Sequence, residues 1–176
     1  MLKGGLPTAT TYYKKHKISK GETIAQSLKE RFDYGQNPDK TEGGELISSY
    51  GCDHMTADAE FLLSKAKYKA ATGREQRRDA DVLCYQIRQS FKPGEITPEL
   101  ALEIAQAFAK EHLSDYEVVI GVHVDKEHIH AHMIFNSVNQ VTGRKYHSNA
   151  KSYYQQIRGI SDKLCREHGL SVIMEG

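Results

Sequence analysis

Apolar and polar positions along the chain predict strands and helices in alternation. Residues 8–17 (TATTYYKKHK) are rich in Thr and Tyr, which suits a first strand. Over 19–34, Ile24, Leu28, Arg31 and Phe32 recur at helical spacing. Ser19 with Glu22 three positions on forms a capping-box pattern ahead of them. Residues 35–44 hold Pro38, Asn37, Asp39 and three glycines, a loop composition. Residues 45–51 predict a second strand, and Thr56 a cap for a helix running to about Ala71, after which Gly73 opens a basic loop. A strand over 82–91 and a turn over KPGEITPE follow. Residues 97–113 form the clearest amphipathic helix: Thr97 as cap, Pro98 in the first turn, then Leu100, Ile104, Ala107 and Phe108 on one stripe. Strands at 117–124 and 129–138 flank the short connection DKEH, and NQVTGRKY (139–146) makes a further turn. A helix over 149–168 stops at Gly169, and LSVI predicts a short last strand. Six strands and four helices, with one well-defined antiparallel hairpin, predict an α+β two-layer sandwich: an antiparallel or mixed sheet with helices packed on it.

The hairpin carries the candidate chemistry. Four of the nine histidines (His123, His128, His130 and His132) fall within ten residues. Side chains at i and i+2 on a strand project from one face about 6.6–7 Å apart, so His130 and His132 point together. With 125–128 as the turn, His123 returns opposite them, where cross-strand Cβ atoms lie about 4.5–5.5 Å apart. Three imidazoles then converge from two strands. Asp125 and His128 extend the polar face, while Val119, Val122, Val124, Ile129, Ala131 and Met133 are expected to form an apolar back. Three neutral His ligands suit Zn, Mn, Ni, Co or Fe better than Mg, although substrate oxygens can complete the shell of either kind of ion. Three protein ligands with open positions are the pattern of a catalytic rather than a structural metal site.

Composition narrows the class. At 176 residues with 39% hydrophobic positions and net charge +1, a single folded domain is expected and disorder is not. No apolar run approaches the roughly 20 residues of a membrane span, and MLKGGLPTAT lacks a signal-peptide core. Three scattered cysteines (Cys52, Cys84, Cys165) read as reduced thiols of a cytoplasmic protein with no membrane partner. The near-zero net charge conceals two basic segments, 61–92 and 141–176, on either side of an acidic one. Lys65, Lys67, Lys69, Arg74, Arg77 and Arg78 lie within fourteen residues, a pattern shared by phosphate-binding patches and by plain solvated helix faces.

His123, Asp125, then His130-Ala131-His132 closing on Asn136, resembles the third motif of conjugative relaxases of the HUH endonuclease superfamily. DYGQNPDKT (33–41) resembles the tyrosine motif of the MobP class found in Gram-positive conjugative elements. SSYGCD, YQIRQSFKPGEITPE and FNSVNQVTGRKYHSN are similar to further segments of that class. The resemblance implies a relaxase domain over 1–176, expected to be the N-terminal part of a longer protein, whose sheet presents the His face as an active-site floor. It implies strand-specific nicking and rejoining of DNA at an origin of transfer, with a tyrosine hydroxyl attacking the scissile phosphate to leave a 5′-phosphotyrosyl adduct and a free 3′-OH. A divalent ion, Mg or Mn in use with Zn, Ni or Co as alternatives, would polarise a phosphate oxygen. Partners implied are single-stranded or locally melted origin DNA, an accessory DNA-binding protein and a type IV secretion coupling protein.

Ten tyrosines compete for the nucleophile on pattern alone. Tyr34 ends a predicted helix beside a Gly/Asn/Pro loop, where a side chain can be exposed, and it matches the tyrosine motif. Asp125 is the candidate to orient His123 or accept a proton. His128, Lys40, Arg74, Arg77, Arg78, Arg88, Lys92, Arg144, Lys145 and His147 are the candidate DNA contacts, and Asn136 reads as structural. The competing readings are a rolling-circle replication initiator or transposase of the same superfamily, a DNA-binding module with a decayed nuclease, and a His-ligated small-molecule metalloenzyme. The first would differ in target DNA only; the last would turn over without DNA and form no tyrosine adduct.

Overall fold

A computed structural model describes residues 10–77, 80–125 and 127–172. Five strands, β1 (Thr10–His16), β2 (Ile47–Tyr50), β3 (Cys84–Ser90), β4 (Val118–His123) and β5 (His130–Asn136), form one sheet in the order β1-β3-β5-β4-β2. Every neighbouring pair is antiparallel, which resolves the choice left open by the sequence. The hairpin register is as expected: His123 stands opposite His130 and Gly121 opposite His132. The last strand expected at LSVI is reduced to a bridge position at Val172; Leu170 and Ser171 are not strand, and Ile173 lies outside the described residues.

Helices flank the sheet on both faces. Helix α3 (Pro98–His112) is capped by Thr97, which accepts from the Leu100 amide, with Pro98 in the first turn as its sequence predicts. It buries Ala101, Ile104, Ala105 and Phe108 against Ile87, Ile120, Val122, Ala131, Met133 and Phe135. The predicted helix over 149–168 is built from α4 (Ala150–Ser152), a π-helical segment (Tyr153–Arg158) and α5 (Gly159–Glu167), and α5 adds Leu164 and Cys165 to this core. On the other face, α1 (Ile24–Gly35) and α2 (Ala57–Thr72) place Leu28, Phe32 and Phe61 over Cys84, Val119 and Ile134. Val119 therefore does not belong to the apolar back of the hairpin. Two strand positions separate it from Gly121 and four from His123, so it shares their face and is roofed by α1 and α2. All of β4 is buried for the same reason.

Helix α1 starts later than the Ser19 pattern implies. Gly21 adopts φ +80°, which a right-handed helix cannot include, and the Glu22 amide closes a turn onto the Ser19 carbonyl. The cap passes to Thr23, which makes a complete capping box with Gln26. At its other end α1 delivers Tyr34 and Gly35 to the sheet, and two glycines permit the approach. A β-carbon on Gly121 would lie 2.0 Å from the Gly35 carbonyl oxygen, and one on Gly35 would lie 2.8 Å from Ile134 Cδ1. The loop after α1 is an Asx turn, in which the Asn37 side chain accepts from the Asp39 amide and Pro38 occupies the position between them. Buried Thr41 donates its hydroxyl to the Asn37 carbonyl, and the Val124 amide donates to the Lys40 carbonyl at 2.8 Å. The NPDKT segment is thus fastened to the strand end that carries His123.

Asn136 closes the hairpin as a structural residue. Its amide donates to Glu117 Oε1 at 3.0 Å and to the Phe61 carbonyl at 3.2 Å, and Ser64 donates to the same carboxylate oxygen at 2.7 Å. This buried network ties β5 to α2, and burial holds the Glu117 carboxyl above its ordinary range.

Candidate active site

His123 and His132 are buried on the face that α1 only half covers, and His130 lies beside them. Ring centroids are 4.0 Å apart for His123 and His132 and 6.2 Å apart for His130 and His132. Tyr34 stands over this group, edge-on to both buried rings at 5.3 Å and 5.7 Å, with 44% of its surface exposed. The Lys40 ammonium lies 4.6 Å from the centre of the Tyr34 ring and 3.8 Å from the Asp125 carboxylate. Tyrosine, three histidines and a lysine from three separate stretches of sequence therefore meet at one place.

Asp125 does not orient His123. Its carboxylate pairs with Lys40, and His123 Nε2 instead donates to the Gly35 carbonyl at 3.0 Å. The helix end that carries the tyrosine supplies the acceptor that sequence spacing assigned to a carboxylate. On His132, Nδ1 meets the Gln86 side-chain nitrogen at 2.7 Å, and Gln86 Oε1 meets His16 Nε2 at 2.8 Å. Burial lowers the His16 and His123 imidazoles, and burial together with His123 and His130 pushes His132 down to about 2. A neutral ring can offer a lone pair to a cation, and an imidazole donor set suits Zn, Fe or Ni better than Mg. Among the described residues no three His, Cys, Asp or Glu side chains stand closed around one point, and the His123 and His132 rings rest against each other at a 36° tilt.

These shifts give stability a pH dependence. A His lowered on folding leaves the unfolded chain binding more protons below its ordinary pKa, so stability is lost as pH falls through about 6.5. His16, His112, His123 and His132 all shift this way, against the buried carboxyl of Glu117 shifting the other. In chelator-treated protein the urea midpoint should drop between pH 7 and pH 5, with His132 alone contributing about 2 kcal/mol. A midpoint unchanged or raised at pH 5 would show that these rings are not held neutral.

The candidate DNA contacts separate into groups. Lys40 and His128 belong to the site, His128 stacking on His130 at 6.1 Å. Arg88 faces it as the cross-strand partner of both His132 and Tyr12. The Arg88 guanidinium lies 5.0 Å from the Tyr12 ring centre, and its buried Nε has no hydrogen-bond partner. Arg74, Arg77 and Lys145 line a different cleft with Tyr68 and Ser137, past the far end of β5, so they do not join the histidines. There Arg77 pairs with Asp81. Lys65, half-buried beneath, turns its ammonium inward to donate to the Leu83 carbonyl and the Ser137 hydroxyl, and desolvation lowers that ammonium to about 7. Arg144 and His147 are exposed in and after the 139–146 turn, Lys92 is half-buried after β3, and Arg78 lies outside the described residues. Sequence reasoning missed Gln86, His16, Gly35 and Gly121 as parts of the site, and Tyr12 beside it.

The relaxase MobA/VirD2-like nuclease domain model matches residues 34–170, from the tyrosine to the last buried leucine. The chain belongs to this relaxase family. It is 40% identical over 131 residues to a Protein rlx of Staphylococcus aureus, covering 74% of this chain and 38% of that protein. It is 31% identical over 183 aligned positions to the group II intron-interrupted relaxase LtrB of Lactococcus lactis, covering 86% of this chain and 32% of LtrB. This relaxase chain thus spans 32% to 39% of the length of the curated relatives it matches. In three dimensions it resembles the MobM relaxase domain, solved with Mn and plasmid pMV158 oriT DNA, at TM-score 0.66 and 16% identity over 97% of this chain and 91% of that one. That likeness establishes the relaxase fold: an antiparallel sheet flanked by helices.

Proposed function

We propose that this chain is a single nickase domain that cuts and rejoins one DNA strand at an origin of transfer by tyrosine-mediated transesterification. The observation that carries this reading is the exposed Tyr34 standing edge-on over His123 and His132 beneath the Lys40 ammonium. The phenol gives up its proton as its oxygen attacks the scissile phosphorus, the P–O3′ bond breaks, the upstream segment leaves with a proton taken up as its 3′-OH, and the 5′-phosphate of the downstream segment stays on Tyr34. The bond energy is retained, so the reverse reaction rejoins the strand. His123, His130 and His132 would hold a divalent ion, Mn or Mg in use, which when bound supplies positive charge to a non-bridging phosphate oxygen. Lys40 offsets the negative charge that builds up around the attacking oxygen. Arg88, with an unpartnered Nε, and Tyr12, about half exposed beside it, form the strip on which the bound strand would lie, the phosphate taking the charge and a base the ring. The MobM domain was solved with oriT DNA and Mn, which supports the same substrate and ion here. Outside the described contacts, an accessory DNA-binding protein and a secretion coupling protein complete the proposed assembly, with the cytoplasm as its place. Among the described residues no helix is long and apolar enough to cross a membrane.

The test is an adduct assay. Single-stranded oligonucleotides tiling the DNA around the encoding gene are incubated with the protein and Mn(II), then run on a denaturing gel. One oligonucleotide should give an SDS-stable protein–DNA band and a shortened free strand. Hydrolysis without a covalent band would replace the tyrosine mechanism with metal-activated water.

A further inference from the structure

The two buried ligand histidines are held in different ways. His123 gives its Nε2 hydrogen to a backbone carbonyl, which can only accept, so its lone pair is fixed on Nδ1. His132 is held by a side-chain amide, whose two ends have opposite character. As that amide stands, buried His16 donates from Nε2 to Gln86 Oε1 at 2.8 Å, and the amide nitrogen donates to His132 Nδ1 at 2.7 Å. His132 then carries its hydrogen on Nε2 and has no lone pair on the nitrogen that Gln86 leaves unengaged. A half-turn of the amide keeps every heavy atom in place and reverses each donor. Oε1 accepts from His132 Nδ1–H, the amide nitrogen donates to His16 Nε2, and His132 Nε2 becomes a lone pair. A metal-bound imidazole has this arrangement, one nitrogen on the ion and the other donating to an oxygen. His16 and His132 are 7% and 2% exposed, so little water competes for these bonds.

We propose that Gln86 is a positioning residue whose amide turns over when a divalent ion binds, setting His132 in its ligating tautomer, with hydrogen on Nδ1, and switching His16, on the far side of the amide, from Nε2–H to Nδ1–H as well. Each ring keeps one hydrogen: it leaves Nε2 and returns on Nδ1, with no net proton taken up. The proposal rests on His123, His130 and His132 as the ion's ligands and adds a coupling that reaches β1, the edge strand of the sheet.

The tautomers are read by long-range 1H–15N correlation spectra of the labelled protein, without metal and with diamagnetic Zn(II). Without metal, His16 and His132 should both carry hydrogen on Nε2. With Zn(II), both should carry it on Nδ1. Zn(II) binding that leaves hydrogen on His16 Nε2 overturns the relay in the wild-type protein, whatever the variants do. Calorimetric titration with Mn(II) gives an independent measure. Gln86→Met should weaken binding about 10–100-fold. Gln86→Glu, which can only accept, should bind as the wild type does. Equal losses in both variants, or none in Gln86→Met, also overturn the relay. A wild-type protein that takes up neither ion, or one whose uptake survives His132→Ala, overturns the ligand assignment and the relay with it; loss in His132→Ala with Gln86→Met unchanged overturns the relay alone.

Discussion

Tyr34→Phe should eliminate the covalent protein–DNA adduct, with nicking reduced at least about 10³-fold, while affinity for the uncleaved strand stays within about twofold. The reason for the split is geometric. The ring makes the contacts with His123, His132 and Lys40, and a phenylalanine preserves all three. Only the oxygen that would bond to phosphorus is removed. Denaturing gels report the adduct, and fluorescence anisotropy with a labelled oligonucleotide reports affinity. An adduct that persists would move the nucleophile to another exposed tyrosine, of which Tyr12, on the Arg88 strip, is the first to test.

The second large effect is expected from a residue with no chemistry. Gly121→Ala should slow nicking about 10²-fold and lower stability by about 1–3 kcal/mol. The new methyl would sit 2.0 Å from the Gly35 carbonyl oxygen, a backbone atom at a helix end that cannot rotate aside, with Thr41 Cγ2 at 3.7 Å behind it. The end of α1 must lift. When it lifts, Tyr34 leaves the histidines, and the acceptor for His123 Nε2 goes with it. Single-turnover nicking rates and urea midpoints test the two parts separately. Wild-type nicking in Gly121→Ala would mean that the height of α1 above β4 does not position the nucleophile.

Much of this site can be read along the chain. The His123–His130 pairing follows from strand periodicity and a four-residue polar connection, and Tyr34 follows from its motif beside a loop-forming segment. The unreadable parts depend on neighbours that only the sheet order supplies. Gln86 is 46 residues from His132 and 70 from His16, and nothing local marks a glutamine in a strand as their common partner. Asp125 misleads because spacing displays a carboxylate near His123 but cannot display the backbone carbonyl of Gly35, which takes its place. Charge density misleads in the same manner. The run from Lys65 to Arg77 counts as basic, yet Lys65 turns its ammonium inward onto the Leu83 carbonyl, Lys69 pairs with Glu75, and Arg77 pairs with Asp81. Gly21 accounts for the displaced start of α1, since a single left-handed residue ends the Ser19 turn before the helix begins.

The sheet order gives the site an unequal resistance to opening. His130 and His132 lie on β5, the middle strand of five, laddered on both sides and packed from both faces. Backbone amides there should exchange with solvent only when the whole domain unfolds, whereas the start of α1, which buries little before Ser27, should exchange at a smaller cost. Under the proposed mechanism, a strand joined to Tyr34 would wait for rejoining over a floor that stays laddered throughout.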